Sequence, residues 1–358
     1  MPLDETVLIT GFPGFIAGRL VERLATEGGH FLLLVQAPFV TRARVELERI
    51  ANQTGMPFSN FRILEGDIAQ PNLGMSQDDL AVAISQPTVL LHLAAIYDLA
   101  LARDIAMRVN VAGTRNVNAF ARLLPNLRHY HYVSTCYVAG KRKGRILETE
   151  LEHADGFRNY YEESKYLAEV EVDSLKSELP IIIHRPSVVC GDSETGETAK
   201  YDGVYYLINY LRKWPGLLTL LNIGNRDVSL NLVPVDFVVA GIVALAGDTR
   251  AVGQTVQLAD SNPLTTHELF NTIARCLNNS QSRVNVPARL VQFSLMLPPS
   301  PRLTDLPHHG VPYFFLKQTY DTRQSRQLLE PHNLHCPAFQ TYAKRIVDYA
   351  VSHPTLQS

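Results

Sequence analysis

Cysteine is scarce in this chain: Cys136, Cys190, Cys276 and Cys336 are the four among 358 residues, and they lie far apart. Their spacing fits neither a disulfide framework nor a metal-binding pair. Two fall at predicted strand ends, where a buried small thiol is the usual occupant. An excess of one charge is also missing. Lys and Arg number 33 against 35 acidic residues, for a net charge of −2. That balance offers no basic face for nucleic acid or an anionic membrane. No apolar run approaches the roughly 20 residues of a membrane span. The first residues carry Asp4 and Glu5 and no basic stretch, so no secretory leader is expected and the expected location is the cytoplasm. The histidines show no metal-ligand arrangement, so no metal is expected.

What is present is an ordinary globular composition, 46% apolar and 19% charged, with enough chain for a sizeable core. The first half alternates short apolar runs with helical patterns, which argues for βαβ units and a parallel sheet. Strands are predicted at 7–10, 31–35, 61–65, 89–93, 131–135 and 181–185. Helices are predicted at 15–27, 42–52, 78–85, 104–124 and 159–178. The second half is less regular. Residues 232–235 and 256–258 read as further strands of the core, while 266–278 and 340–352 read as helices flanking a Pro-rich stretch at 297–312. The fold class is therefore α/β, a Rossmann-like doubly wound parallel sheet with a smaller, mostly C-terminal substrate lobe. Residues 1–191, with 231–260 returning, would form the dinucleotide domain. Residues 192–230 and 261–358 would form the lobe.

Two motifs carry chemistry. Gly11-x-x-Gly14-x-x-Ala17 follows a predicted strand and opens a predicted helix, the context a phosphate-binding loop requires. Gly11 permits the tight turn, Gly14 the approach of backbone N–H groups to a pyrophosphate, and Ala17 close helix packing. Phe12, Phe15 and Ile16 belong to the same loop and helix start, where the helix dipole attracts phosphate. The second strand ends at Leu34-Val35-Gln36-Ala37 without an acidic residue to hold ribose hydroxyls. That favours NADP(H) and leaves NAD open. Arg42 and Arg44 are close enough to meet a 2′-phosphate, and a solvated helix face explains them equally well. The second motif is Tyr161 with Lys165, four apart on one helix face, where an ammonium favours the phenolate. Tyr160 and Tyr166 lack such a lysine partner.

With those motifs in place, the chain resembles the extended short-chain dehydrogenase/reductase superfamily, and within it the fatty acyl reductase and thioester reductase group. The resemblance rests on the runs at 10–17, 91–95, 108–117, 132–135 and 159–169. Two further runs, His-Arg-Pro-Ser-Val-Val-Cys-Gly-Asp at 184–192 and Asn-Leu-Val-Pro-Val-Asp-Phe-Val at 231–238, point to the acyl-reducing group. It implies that Tyr161 protonates the oxygen of a carbonyl that receives hydride. Lys165 would hold the nicotinamide ribose and lower the tyrosine pKa. Thr135 would orient the carbonyl oxygen, with Ser134 a competitor that strand alternation points the other way. Asn110 would bind a water of the proton relay. Asp67 would contact the adenine amino group with Ile68 beside the ring, against the plain alternative of a turn former. Ala94 and Ala95 would lie along the cofactor, and Pro186 and Val188 near the nicotinamide amide.

The implied function is NADPH-dependent reduction of an acyl thioester, coenzyme A-linked or carrier-linked, or of a related carbonyl. The apolar stretch 205–221 would line an acyl channel or simply pack the lobe. A homodimer is expected from the resemblance. Other readings stay open: a ketone or aldehyde reductase, a sugar-nucleotide dehydrogenase or epimerase, and a dinucleotide-sensing protein without turnover.

Overall fold

The computed structural model describes residues 5–213, 221–278, 284–285, 308 and 310–355. Its centre is a seven-stranded sheet, every pairing parallel. The strands are β1 (Thr6–Thr10), β2 (His30–Val35), β3 (Phe61–Glu65), β4 (Val89–His92) and β5 (His129–Val133), followed by β7 (Ile181–Pro186) and β11 (Thr255–Leu258). Their order is β3-β2-β1-β4-β5-β7-β11. The order reverses between β1 and β4, and that switch point is where a doubly wound sheet opens a crevice at its carboxyl ends.

The strand sequences explain the burial. Successive side chains point to opposite faces, and a sheet covered on both faces needs apolar residues at nearly every position. Val7 and Ile9 pack on one side of β1 and Leu8 on the other; β2 sends Phe31, Leu33 and Val35 one way and Leu32 and Leu34 the other. Helices α1 (Phe15–Ala25), α2 (Val40–Thr54), α8 (Val235–Leu245) and α10 (Arg323–Leu329) cover the first face through Leu20, Leu47, Ile242 and Leu329. Helices α3 (Gln77–Ser85), α5 (Gly113–Ala121) and α6 (Tyr160–Asp173) cover the second through Ala83, Val117 and Val172. A separate cluster joins α7 (Val204–Lys213), α9 (Thr266–Asn278) and α11 (Phe339–Ser352) around Ile208, Phe270 and Ile346.

Three expectations change, and an alternative left open for 205–221 is narrowed. The predicted strand at 232–235 is not part of the central sheet: β10 (Leu232–Pro234) pairs with β8 (Val188–Cys190) in a separate ribbon. Asn231 explains the detour, because its amide bonds Ser187 at 2.8 Å and both the carbonyl and N–H of Asp260, bolting the ribbon to two strand ends. The predicted helix 104–124 is interrupted. A short α4 (Arg103–Ala106) runs into a π-helical segment, Met107–Ala112, before α5, and such bulges insert where a helix must re-aim a side chain. Residues 318–329 leave the C-terminal cluster. There β13 (Gln318–Tyr320) pairs with β6 (Gly144–Ile146), and Leu328 and Leu329 pack with the sheet. The Glu148 carboxylate ties this segment down by accepting from Gln257, Gln324 and Ser325 N–H groups at 2.7–3.0 Å. Finally, α7 packs Tyr205, Leu207, Ile208, Tyr210 and Leu211 into the third cluster. These residues are core and do not form a channel wall. Residues 214–220 of the stretch, and most of the Pro-rich 297–312, lie outside the described residues.

Candidate active site

The phosphate loop forms where β1 stops and α1 begins. Gly11 has φ +93°, a backbone state that favours glycine. An added Cβ there would lie 2.7 Å from the Ala94 nitrogen, and one at Gly14 would lie 2.7 Å from the Gly11 carbonyl oxygen. Both positions are therefore closed to larger residues. The N-terminus of α1 has no side-chain cap and no acidic residue in its first turn, leaving its N–H groups and positive dipole end to an anion. A cavity of about 710 Å³ starts at this loop. Its walls carry Gly11, Phe12, Gly14, Phe15, Ile16, Gln36 and Arg42 at one end, Ala94, Ala95, Pro186 and Val188 midway, and Thr135, Tyr161 and Lys165 at the other. Cradle and open helix end fit the pyrophosphate of a dinucleotide, and the same cavity is lined by Tyr161 and Lys165.

Helix α6 presents the reactive end. Asn159 caps it by accepting from the Glu162 N–H at 3.0 Å. Its buried positions include Tyr161, Ser164, Lys165, Ala168, Glu169 and Val172, spaced three and four apart. The Asn159 amide also donates to the Tyr313 hydroxyl at 2.8 Å, and that hydroxyl donates to Glu162 at 2.6 Å. Thr135 and Tyr161 line the same cavity. Burial holds the Tyr161 phenol above its ordinary pKa, and the nearby Thr135 hydroxyl offsets part of the rise.

Lys165 stands differently from the expectation. Its ammonium donates to the Tyr132 hydroxyl at 3.0 Å and the Val133 carbonyl at 2.8 Å, and burial lowers its pKa to about 7 against a partial restoring pull from Glu169. The expected lowering of the Tyr161 pKa is not the balance found here, because the lysine is turned to the β5 strand end and desolvation of the phenol dominates.

The family model described as male sterility protein, an NAD-binding family, matches residues 9–242. The chain belongs to this family. The matched region spans the phosphate loop, the β5 end and the Tyr161 helix, in keeping with a nicotinamide dinucleotide cofactor. Fatty acyl-CoA reductase wat of Drosophila melanogaster is 25% identical over 281 residues, covering 68% of this chain and 54% of that protein. The chain thus spans about half of that reductase, and smaller shares of other curated relatives. The terminal R domain of the myxalamid PKS-NRPS pathway shares the fold with a TM-score of 0.82 at 22% identity, covering 99% of this chain and 92% of that one. UDP-glucuronic acid 4-epimerase from Bacillus cereus, solved with NAD, shares it with a TM-score of 0.68 at 17% identity, covering 98% and 100%.

Within this member of the male sterility protein family, the side chains of three expected site residues make contacts inside the protein. The Ser134 hydroxyl donates to buried Glu169, which pairs with Arg185, while Ser134 and Thr135 both line the cavity. Asn110, on the π-helical segment, donates to Ser164 at 2.9 Å and the Ile96 carbonyl at 3.2 Å, and accepts from the Ile96 N–H at 2.8 Å. Its side chain thereby ties the π-helical segment to α6 and to the segment after β4. Asp67 accepts from the Ala69 N–H at 2.8 Å in a turn, while its neighbours Gly66 and Ile68 form the cavity wall. His92 is a core residue, between the Thr10 and Thr114 hydroxyls at 2.7 and 3.1 Å, and burial followed by the Lys165 charge lowers its pKa to about 3. Of the two arginines after β2, Arg42 lines the cavity and Arg44 does not.

The sequence reading missed Tyr97, Lys200 and Asp202, which also line the cavity. They sit in irregular segments where no periodicity announces them. The one available signal was a carboxylate and a lysine placed two apart just before an aromatic helix.

Proposed function

We propose that the protein is an NADPH-dependent reductase of acyl thioesters, bound to coenzyme A or to a carrier protein. The observation that carries this reading is a single cavity lined by the phosphate loop and by Thr135, Tyr161 and Lys165. A buried phenol kept protonated at neutral pH is an acid available to a developing oxyanion. Thr135 and Tyr161 together form a preorganised pair of hydroxyls for that oxygen. When bound, the nicotinamide supplies the hydride to the carbonyl carbon. Tyr161 gives its proton to the oxygen, and the resulting thiohemiacetal releases a thiol and leaves an aldehyde. Lys165, next to Val133 and Tyr132, would turn to the ribose hydroxyls on binding.

The acyl thioester preference draws on the relatives: one is a fatty acyl-CoA reductase, and the myxalamid R domain shares the fold. NADPH is favoured because Gln36 carries no charge against a 2′-phosphate and Arg42, at the cavity wall, has no acidic partner among the described residues. The test is incubation with NADPH and a panel of acyl-CoAs, aldehydes and ketones, followed at the nicotinamide absorbance. Thioester-dependent oxidation is expected; turnover of ketones alone would remove the thioester assignment.

A further inference from the structure

The cavity end that holds Tyr161 is closed by two loops that no sequence motif marks. One follows β4 and carries Tyr97; the other precedes α7 and carries Lys200 and Asp202. The Tyr97 ring meets the Tyr161 ring edge to face, with centroids 4.9 Å apart and planes at 82°. Tyr97 and Asp202 both line the cavity, and the Asp202 side chain is only 14% exposed. Lys200 lies over the Tyr97 ring at 4.6 Å, donates to the Tyr97 carbonyl at 3.4 Å, and stands 3.7 Å from Asp202. Burial raises the Asp202 pKa, and the Lys200 charge and the nearby Tyr97 hydroxyl oppose that rise.

Each contact has a physical role. An edge-to-face aromatic pair has a preferred geometry and resists rotation of either ring. A cation over the outer face of Tyr97 holds that ring from the solvent side. Asp202 stands beside the Lys200 ammonium, and Lys200 joins the two loops by reaching both. A ring held in this way can restrict the rotation of the phenol it packs against.

We propose that Tyr97 is a positioning residue for Tyr161, held in place by Asp202 and Lys200, so that docking of the 198–202 loop sets the angle of the proton donor. The arrangement concerns how the donor is held, and rests on the reading of Tyr161 as the acid. Misplacing such a group by an ångström costs far more in turnover than in binding.

The test uses the full chain labelled with 13Cζ-tyrosine, with the Tyr161 resonance assigned by its loss in Tyr161→Phe. In parallel, kcat, KM and NADPH affinity are measured for Tyr97→Leu, Lys200→Met, Asp202→Asn and the Lys200→Met/Asp202→Asn double variant. Tyr97→Leu should move the Tyr161 resonance and lower kcat more than about tenfold, with NADPH affinity unchanged. Lys200→Met removes the cation over the Tyr97 ring, and Asp202→Asn removes the charge beside that cation, so each should lower kcat roughly two- to fivefold and the double variant no further. A Tyr161 resonance unmoved in Tyr97→Leu would overturn the proposal. So would additive losses in the double variant, or a raised KM with unchanged kcat. A wild type silent on every substrate, with the resonance still shifted in Tyr97→Leu, would remove the reductase reading and leave the clamp standing. If Tyr97→Leu fails to fold, the two conservative variants and their double carry the same decision.

Discussion

The two ends of the cavity are built in opposite ways. The phosphate end comes from one contiguous stretch, residues 10–17, and works through backbone: a left-handed glycine, a close approach at Gly14 and an uncapped helix start. The reactive end is assembled from Tyr97, Thr135, Tyr161, Lys165 and Asp202, drawn from four segments, and works through side chains. Backbone machinery leaves a local signature, because only glycine satisfies it. Side-chain machinery depends on which loops meet, and most of that is decided by tertiary packing.

If this division holds, changes at the two ends should separate binding from chemistry. The largest effect is expected at Tyr161. Tyr161→Phe removes the proton donor and should lower kcat by about 10²–10⁴-fold while leaving NADPH affinity within about twofold. Full activity in that variant would discard the mechanism. At the opposite end, Gly14→Val places side-chain atoms against the Gly11 carbonyl, and should weaken cofactor binding by a hundredfold or more, about 2.7 kcal/mol. Binding measured by fluorescence titration, with the circular dichroism spectrum preserved, would establish that the loss is local. Arg42→Ala should weaken NADPH by roughly five- to tenfold and leave NADH unchanged, an effect of a partly exposed charged hydrogen bond. Equal losses for both cofactors would place Arg42 away from the 2′-phosphate.

The sheet between the two ends gives a prediction independent of any ligand. His131 and His184 stack at 5.2 Å and share a hydrogen bond at 2.9 Å. Burial holds His184 at about 3 and His131 well below its ordinary value, with the His184 charge as the second cause for His131. Folded-state values below the unfolded value near 6.5 mean the unfolded chain binds more protons between them. Stability is then complete above about pH 6.5 and falls as pH drops toward the folded values, by about 1.4 kcal/mol per pH unit for each such histidine. Thermal unfolding from pH 8 to pH 5 measures this. A flat profile would mean the pair binds protons in the fold as it does in the unfolded chain. The smallest effect belongs to Ser134→Ala. It should cost about 1–3 kcal/mol of stability by leaving Glu169 a donor short, with kcat nearly unchanged.

The legibility of the chain follows the same division. The six strands of the first half and the seventh at 256–258 were readable, because a sheet covered on both faces demands continuous apolar runs, as in Phe31 to Val35. The run 232–235 looked identical and misled, since the amide of Asn231 takes it out of the sheet and no local pattern reports that. Strand alternation distinguished Thr135 from Ser134, whose hydroxyl is engaged with Glu169. The pairing of Lys165 with Tyr161 was readable as helix spacing, but its turn toward Tyr132 depends on β5, more than 30 residues earlier. Asn110 was found by its motif, and the contact of its amide with Ile96 was not, because a π-helical segment sets it. Tyr97 and Asp202 left no pattern, being loop residues brought together by the docking of α7.

The bond from Asn159 to Tyr313 has a consequence for how the protein is made. Every strand of the central sheet has left the ribosome once Leu258 emerges, and α6 well before that. The hydroxyl that secures the first turn of α6 comes 154 positions after its partner. A nascent chain can therefore complete the phosphate cradle early, while the start of the Tyr161 helix waits for the last part of the sequence. In order of emergence, the phosphate loop precedes the contact that secures the Tyr161 helix by most of the described chain.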